Sequence, residues 1–126
     1  MILLDTHIVI WLYEDPERLL PLPVRDRLNA EQLGLSPFVR LELQYLNEVG
    51  KVSVPAAEIV AELAPRLELV LTDPPSAQVC AAAAALTWTR DPFDRLISAQ
   101  AVAADTVFVT KDRTIRAHLP LAWWPA

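Results

Sequence analysis

Met1-Ile2-Leu3-Leu4-Asp5-Thr6-His7-Ile8-Val9-Ile10-Trp11-Leu12 places a short apolar run, an acid and a hydroxyl residue ahead of a second apolar stretch. The first run reads as a strand ending at Asp5, and Thr6 can cap a helix through Leu12. A strand feeding directly into a helix is the unit from which parallel sheets are built. Outward from it, Pro16, Pro21 and Pro23 punctuate the chain, and Val24 to Gln32 has the charge and spacing of an exposed helix. Gly34-Leu35-Ser36 reads as a second strand, after which Ser36 and Pro37 start a helix that runs to about Val49. Gly50 closes that helix where a left-handed residue is needed, and Pro55 opens an alanine-rich helix that ends near Pro65.

The alternation continues with a third strand, Leu67 to Leu71, and an alanine-rich helix within Pro74 to Leu86. A turn from Thr87 to Pro92 leads to a helix from Phe93 to about Ala104 and a β-branched strand, Thr106 to Thr110. Lys111 to Ala117 is a short helix and Leu121 to Trp124 a last strand. The expectation is an α/β fold with a central, mostly parallel five-stranded sheet covered on both faces, and one domain over residues 1–126. There is no internal repeat and no linker.

Hydrophobic residues make up 53% of the chain, which opposes disorder and leaves more apolar surface than one small core hides, so a partner is expected. No apolar run is long enough to cross a bilayer, and the start of the chain lacks a secretory pattern, so a cytoplasmic location is expected. Cys80 stands alone and reads as a small buried hydrophobe. A net charge of −5 argues against bulk electrostatic binding of nucleic acid. The C-terminal third is nevertheless locally basic, with Arg90, Arg95, Lys111, Arg113 and Arg116 against Asp91, Asp94, Asp105 and Asp112.

Ligands of parallel sheets bind beyond the carboxyl ends of the strands, and four acids fall there. Asp5 ends the first strand, Glu42 lies in the second turn of the helix after the second strand, and Asp112 stands just past the fourth strand. Asp94 opens the helix that feeds that fourth strand. Hard oxygen ligands without nearby Cys or His suit Mg²⁺ or Mn²⁺, and such ions drive phosphodiester hydrolysis by activating water and stabilising the leaving oxygen. Each acid also has a plain structural reading. Asp5 caps a helix, Glu42 is a solvated helix residue, Asp94 answers a helix dipole and Asp112 belongs to a turn.

Leu4-Asp5-Thr6-His7, Ser36-Pro37 before Leu41-Glu42-Leu43, the block Asp91-Pro92-Phe93-Asp94-Arg95-Leu96-Ile97-Ser98-Ala99-Gln100-Ala101, and Phe108-Val109-Thr110-Lys111-Asp112 resemble, in this order, the PIN-domain family. The likeness is narrower to the VapC-type toxins of type II toxin-antitoxin systems, and the block from Asp91 is its most specific part. The resemblance implies a three-layer α/β/α fold and a Mg²⁺-dependent endoribonuclease, Mn²⁺ being a possible substitute. It implies catalytic and metal-holding roles for Asp5, Glu42, Asp94 and Asp112, with Thr6 and Thr110 as supporting hydroxyls. Asp91 is expected outside the metal's ligands, orienting Arg95 or capping the helix. The family often carries a histidine shortly before this block, where this chain has Thr87-Trp88-Thr89-Arg90. A cognate antitoxin, an RNA substrate and a homodimer are the partners the resemblance implies, with no membrane.

Arg95, Lys111, Arg113 and Arg40 flank the acids and can hold RNA phosphates or serve as surface ion-pair partners. His7 and His118 read as structural. Trp11, Trp88, Trp123 and Trp124 read as core or interface, the last two as an edge that pairs with another subunit. Two other functions stand beside the nuclease. One is a catalytically silent PIN-like module that binds RNA or a partner protein. The other is a phosphoacceptor domain, which needs paired acids after the first strand where Asp5 stands alone.

Overall fold

The computed structural model describes residues 1–126. Thirteen elements follow one another: β1 (Ile2–Leu4), α1 (Thr6–Glu14), α2 (Pro16–Leu19), α3 (Leu22–Ala30), β2 (Leu33–Leu35), α4 (Pro37–Glu48), α5 (Ala56–Leu67), β3 (Val70–Leu71), α6 (Ser76–Ala84), α7 (Pro92–Ala104), β4 (Phe108–Val109), α8 (Arg113–His118) and β5 (Ala122–Trp123). The five strands form one sheet in the order β3-β2-β1-β4-β5, and every pairing is parallel. With helices packed around that sheet, this is the three-layer α/β/α architecture.

The three inner strands are buried throughout, whereas β3 and β5 at the edges are partly exposed. Burial on both faces explains why the inner strands are continuous apolar runs without alternation. Leu4, Ile8, Leu35, Leu43 and Phe108 are among the fully buried side chains, each contributing roughly 1.5–3 kcal/mol when removed from water. A separate small patch of Val79, Ala83 and Ala99 joins α6 to α7. No helix is long and apolar enough to cross a membrane.

Gly34 has a specific job in this sheet. A Cβ there would stand 2.9 Å from Met1 Sδ and 3.0 Å from Leu3 Cδ2, so β2 approaches the β1 side chains only as glycine. Gly50 follows α4 with φ +81°, the left-handed geometry expected of it.

Several local expectations differ. The cap of α1 is Asp5 rather than Thr6: Asp5 is extended and its carboxylate accepts from the Thr6 N–H, while Thr6 is already the first helical residue and its hydroxyl donates to Glu42. Pro65 does not end α5, which runs to Leu67 and closes through Glu68 in the left-handed conformation. Arg66 anchors that last turn by donating to the Leu12 carbonyl at 3.1 Å. The third and fourth strands shrink to two residues each, since Leu67 belongs to the helix and Thr106 lies outside the ladder. Cys80 is exposed, because α6 turns only Val79 and Ala83 fully inward.

Candidate active site

The order β3-β2-β1-β4-β5 reverses direction at β1, so the chain leaves β1 and β4 toward opposite sides and opens a crevice beyond their carboxyl ends. Asp5 follows β1 and Thr110 follows β4. Register pairs Leu4 with Val109, which brings the two residues after them together. There the Thr110 hydroxyl donates to Asp5 Oδ2 at 2.6 Å.

A cleft of about 430 Å³ lies at this point, lined by Asp5, His7, Trp11, Glu42, Asp91, Asp94, Lys111 and Asp112. A larger cleft of about 990 Å³ opens beside the start of β2, between the last turns of α1 and α5 and along α3. It holds none of the expected acids and none of the perturbed carboxyls, so the chemistry belongs to the smaller cleft.

Three acids of the cleft are held by helix N-termini. Asp5 Oδ1 accepts from the Thr6 N–H at 2.8 Å. Asp91 Oδ1 accepts from the N–H groups of Phe93 and Asp94 at 2.8 and 3.1 Å. Asp112 Oδ1 accepts from the Ile115 N–H at 2.9 Å, and the Asp112 N–H donates to Thr110 Oγ1 at 3.0 Å. In Asp91 and Asp112 the cap uses one carboxylate oxygen only, whereas the second oxygen of Asp5 takes the Thr110 hydroxyl. Glu42 arrives from α4 and accepts the Thr6 hydroxyl on Oε1. Asp94, in the first turn of α7, receives no hydrogen bond from the protein, and its position is set by the helix alone.

Burial and crowding act on these groups together. Asp5 is 7% exposed, and burial raises its carboxyl above the ordinary range against the lowering hydrogen bonds from Thr110 and Thr6. Burial also raises Glu42, opposed by the Thr6 hydroxyl and reinforced by Asp5 and Asp91. Asp94 is pushed up to about 7, first by burial and then by repulsion from Asp91, Asp5, Glu42 and Asp112. No ion pair joins any of these carboxyls to a basic side chain.

That deficit is the observation with which a divalent cation fits, and the donor set is all oxygen. No three of the acidic or imidazole side chains form a ready coordination shell by themselves. Mg²⁺ does not need one, since it keeps several waters and takes one or two carboxylates together with substrate phosphate. Asp5, Glu42, Asp94 and Asp112 all line the cleft and can serve.

Of the basic residues expected at a substrate, Lys111 lines the cleft. Arg95 does not, because its Nε donates to the Thr89 carbonyl at 2.8 Å, and Arg40 and Arg113 are exposed outside the lining. Asp91 caps α7 rather than orienting Arg95. His118 stacks on Trp88 with ring centroids 5.2 Å apart, and its Nδ1–H donates to the Thr114 carbonyl at 2.9 Å. Trp123 sits on the edge strand under the Arg27 guanidinium, 4.5 Å from its ring centre. His7 and Trp11 line the cleft although sequence reading gave them no place in it. The available signal was their spacing, one turn apart on a helix whose cap is a cleft acid.

The PIN domain model matches residues 2–118. Ribonuclease VapC22 of Mycobacterium tuberculosis is 32% identical over 121 residues, covering 93% of this chain and 91% of its own length. Two solved structures share the fold. VapBC2 from Rickettsia felis, bound to a DNA fragment from their promoter, aligns with TM-score 0.69 at 19% identity over 97% of this chain and 96% of its own. VapBC-1 from nontypeable Haemophilus influenzae aligns with TM-score 0.67 at 18% identity over 99% and 97%. The family model and the curated relative both match over nearly the whole chain, and the chain belongs to the PIN-domain family.

Proposed function

We propose that this protein is a Mg²⁺-dependent endoribonuclease and the toxin component of a type II toxin-antitoxin pair, with Asp5, Glu42, Asp94 and Asp112 holding the metal. The observation that carries the proposal is the accumulation of carboxylates with raised proton affinity in one cleft beyond β1 and β4. The 32% identity to ribonuclease VapC22 over almost the whole chain supports RNA as the substrate.

When bound, Mg²⁺ or Mn²⁺ supplies charge neutralisation at the phosphate and lowers the pKa of the attacking water. The protein's own residues prepare the place for this. Thr110 and the Thr6 N–H fix both oxygens of Asp5, the Thr6 hydroxyl fixes one oxygen of Glu42, and the α8 cap fixes Asp112. Asp94 is left without such ties and can take up or release a proton near neutrality. Lys111 brings positive charge to the rim for an RNA phosphate.

A partner protein is supported by Leu41, Tyr45 and Val49, which recur every four residues along one exposed side of α4. This stripe, on the helix that carries Glu42, suits an apolar helix or tail of an antitoxin. A homodimer remains part of the proposal, with the edge strand β5 as its contact.

The test is an RNA cleavage assay with Mg²⁺ or Mn²⁺, comparing wild type with Asp94→Asn and Asp5→Asn and with chelator present. Cleavage by wild type, lost in both variants and with chelator, is the expected result. Cleavage that survives both substitutions overturns the mechanism.

A further inference from the structure

Beside the carboxylates the cleft presents an aromatic face that hydrolysis alone leaves without a task. His7 and Trp11 stand one turn apart on α1, with ring centroids 5.9 Å apart and planes tilted by 52°. His7 is exposed, and Trp11 packs partly on the core while the rest of it reaches the cleft. Trp11 is the single hydrophobic residue of the eight that line the space, amid five carboxylates. Lys111 Nζ lies 5.8 Å from the centre of its ring. The part of the indole that reaches the cleft gains by being covered with something planar and apolar.

A nucleobase has that shape, and bases splayed out of RNA stack on aromatic side chains. We infer that Trp11, flanked by His7, stacks the nucleobase adjoining the scissile phosphate, while Lys111 binds a phosphate oxygen of the same nucleotide. This rests on the ribonuclease reading above and adds a binding role for Trp11 and His7, which hold no metal in it, beside the Lys111 already placed at an RNA phosphate. Stacking tolerates any base, so the platform fixes where the phosphate lies among the acids rather than which base is read. A base on the platform cannot also be paired and stacked in a duplex. The cleavable nucleotide is therefore unpaired.

The probe is a pool of end-labelled single-stranded RNA 12-mers of random sequence, from which one efficiently cut 12-mer is remade with an abasic nucleotide at each position in turn. Wild type, Trp11→Phe, Trp11→Ala and His7→Ala are compared on this set with Mg²⁺, and thermal melts report folding. The abasic substitution at one position beside the cut is expected to lower kcat/KM of wild type about tenfold, chiefly through KM, and to cost Trp11→Ala almost nothing. Trp11→Phe keeps an apolar ring against the core and should show an intermediate penalty at the same position. If Trp11→Ala fails to fold, the smaller penalty in Trp11→Phe carries the test. Abasic penalties equal in wild type and Trp11→Phe at every position overturn the inference while leaving the nuclease reading intact. Wild type that cuts no member of the pool with Mg²⁺ or Mn²⁺ overturns both.

Discussion

Replacing Asp94 by Asn should make the metal-free protein more stable while removing its activity. Asp94 accepts no hydrogen bond, so the near-isosteric amide gives up no contact with the protein. Its carboxyl is raised from 3.8 to about 7 by burial and by the neighbouring acids. The folded protein therefore holds a proton that the unfolded chain releases, and wild-type stability declines as pH rises from about 4 to about 7, then levels off. The full interval corresponds to about 4 kcal/mol, and Asp94 is only half-buried, so solvent screening reduces this to about 2 kcal/mol. For a domain of this size that is about 8 °C in melting temperature. The assay is thermal or urea unfolding of wild type and Asp94→Asn in chelator across pH 4–8. The variant's advantage should be small at pH 4, grow through pH 7 and remain constant above it. Added Mg²⁺ should shrink the difference at pH 8 by stabilising wild type more than the variant. A variant less stable than wild type at pH 8 in chelator, or an advantage independent of pH, would refute the reasoning.

Thr110→Val removes the hydroxyl between Asp5 and the Asp112 N–H, leaving two groups unpaired beside a buried carboxylate, and should cost about 2–3 kcal/mol in urea unfolding. Thr110→Ser should restore most of it, and the Val variant should need a higher pH to ionise Asp5, visible as an alkaline shift in the pH profile of cleavage. Gly34→Ala forces a methyl to within 3.0 Å of Leu3 Cδ2 in the buried β1 strand, and Met1 moves aside more easily than Leu3 does. A loss of about 1 kcal/mol in the denaturation midpoint is expected, with cleavage per folded molecule unchanged.

Much of this architecture was legible because each element carries its own local cause. An apolar run with no polar alternation marks Ile2–Leu4 as a strand covered on both faces, the strand expected at Gly34–Ser36 lies one residue earlier at Leu33–Leu35, and Ser36-Pro37 with Gly50 brackets α4 from both ends. Boundaries were less legible because tertiary contacts decide them. Pro65 is carried inside α5 where Arg66 ties the last turn to α1, and nothing near Pro65 in sequence announces that contact. The same division runs through the cleft. The acids could be placed, since Asp5 and Asp112 follow strands whose carboxyl ends must coincide in a parallel sheet. Of the four basic residues, only Lys111 falls in the cleft. Arg95 adjoins Asp94 in sequence, but neighbouring helix residues point about 100° apart, and its guanidinium turns to the Thr89 carbonyl instead. His7 and Trp11 were set aside as parts of an apolar helix, whereas one turn of spacing from a capping acid carries both to the cleft.

The plain and the chemical readings of the acids turn out to be compatible. Asp5, Asp91 and Asp112 each cap a helix and each line the cleft; in Asp91 and Asp112 only one oxygen accepts backbone N–H groups, and in Asp5 the second oxygen accepts the Thr110 hydroxyl. Capping aims these carboxylates without long, flexible side chains, and it turns the positive ends of α1, α7 and α8 toward a place where a phosphate would sit. Substitution to alanine at these positions would then remove a cap, worth about 1 kcal/mol, together with a cleft carboxylate. Loss of activity in an alanine variant would be uninterpretable. Asparagine keeps the oxygen that accepts from the Thr6 N–H while deleting the charge and turning the acceptor for Thr110 into a donor, so Asp5→Asn spares the cap and removes the carboxylate.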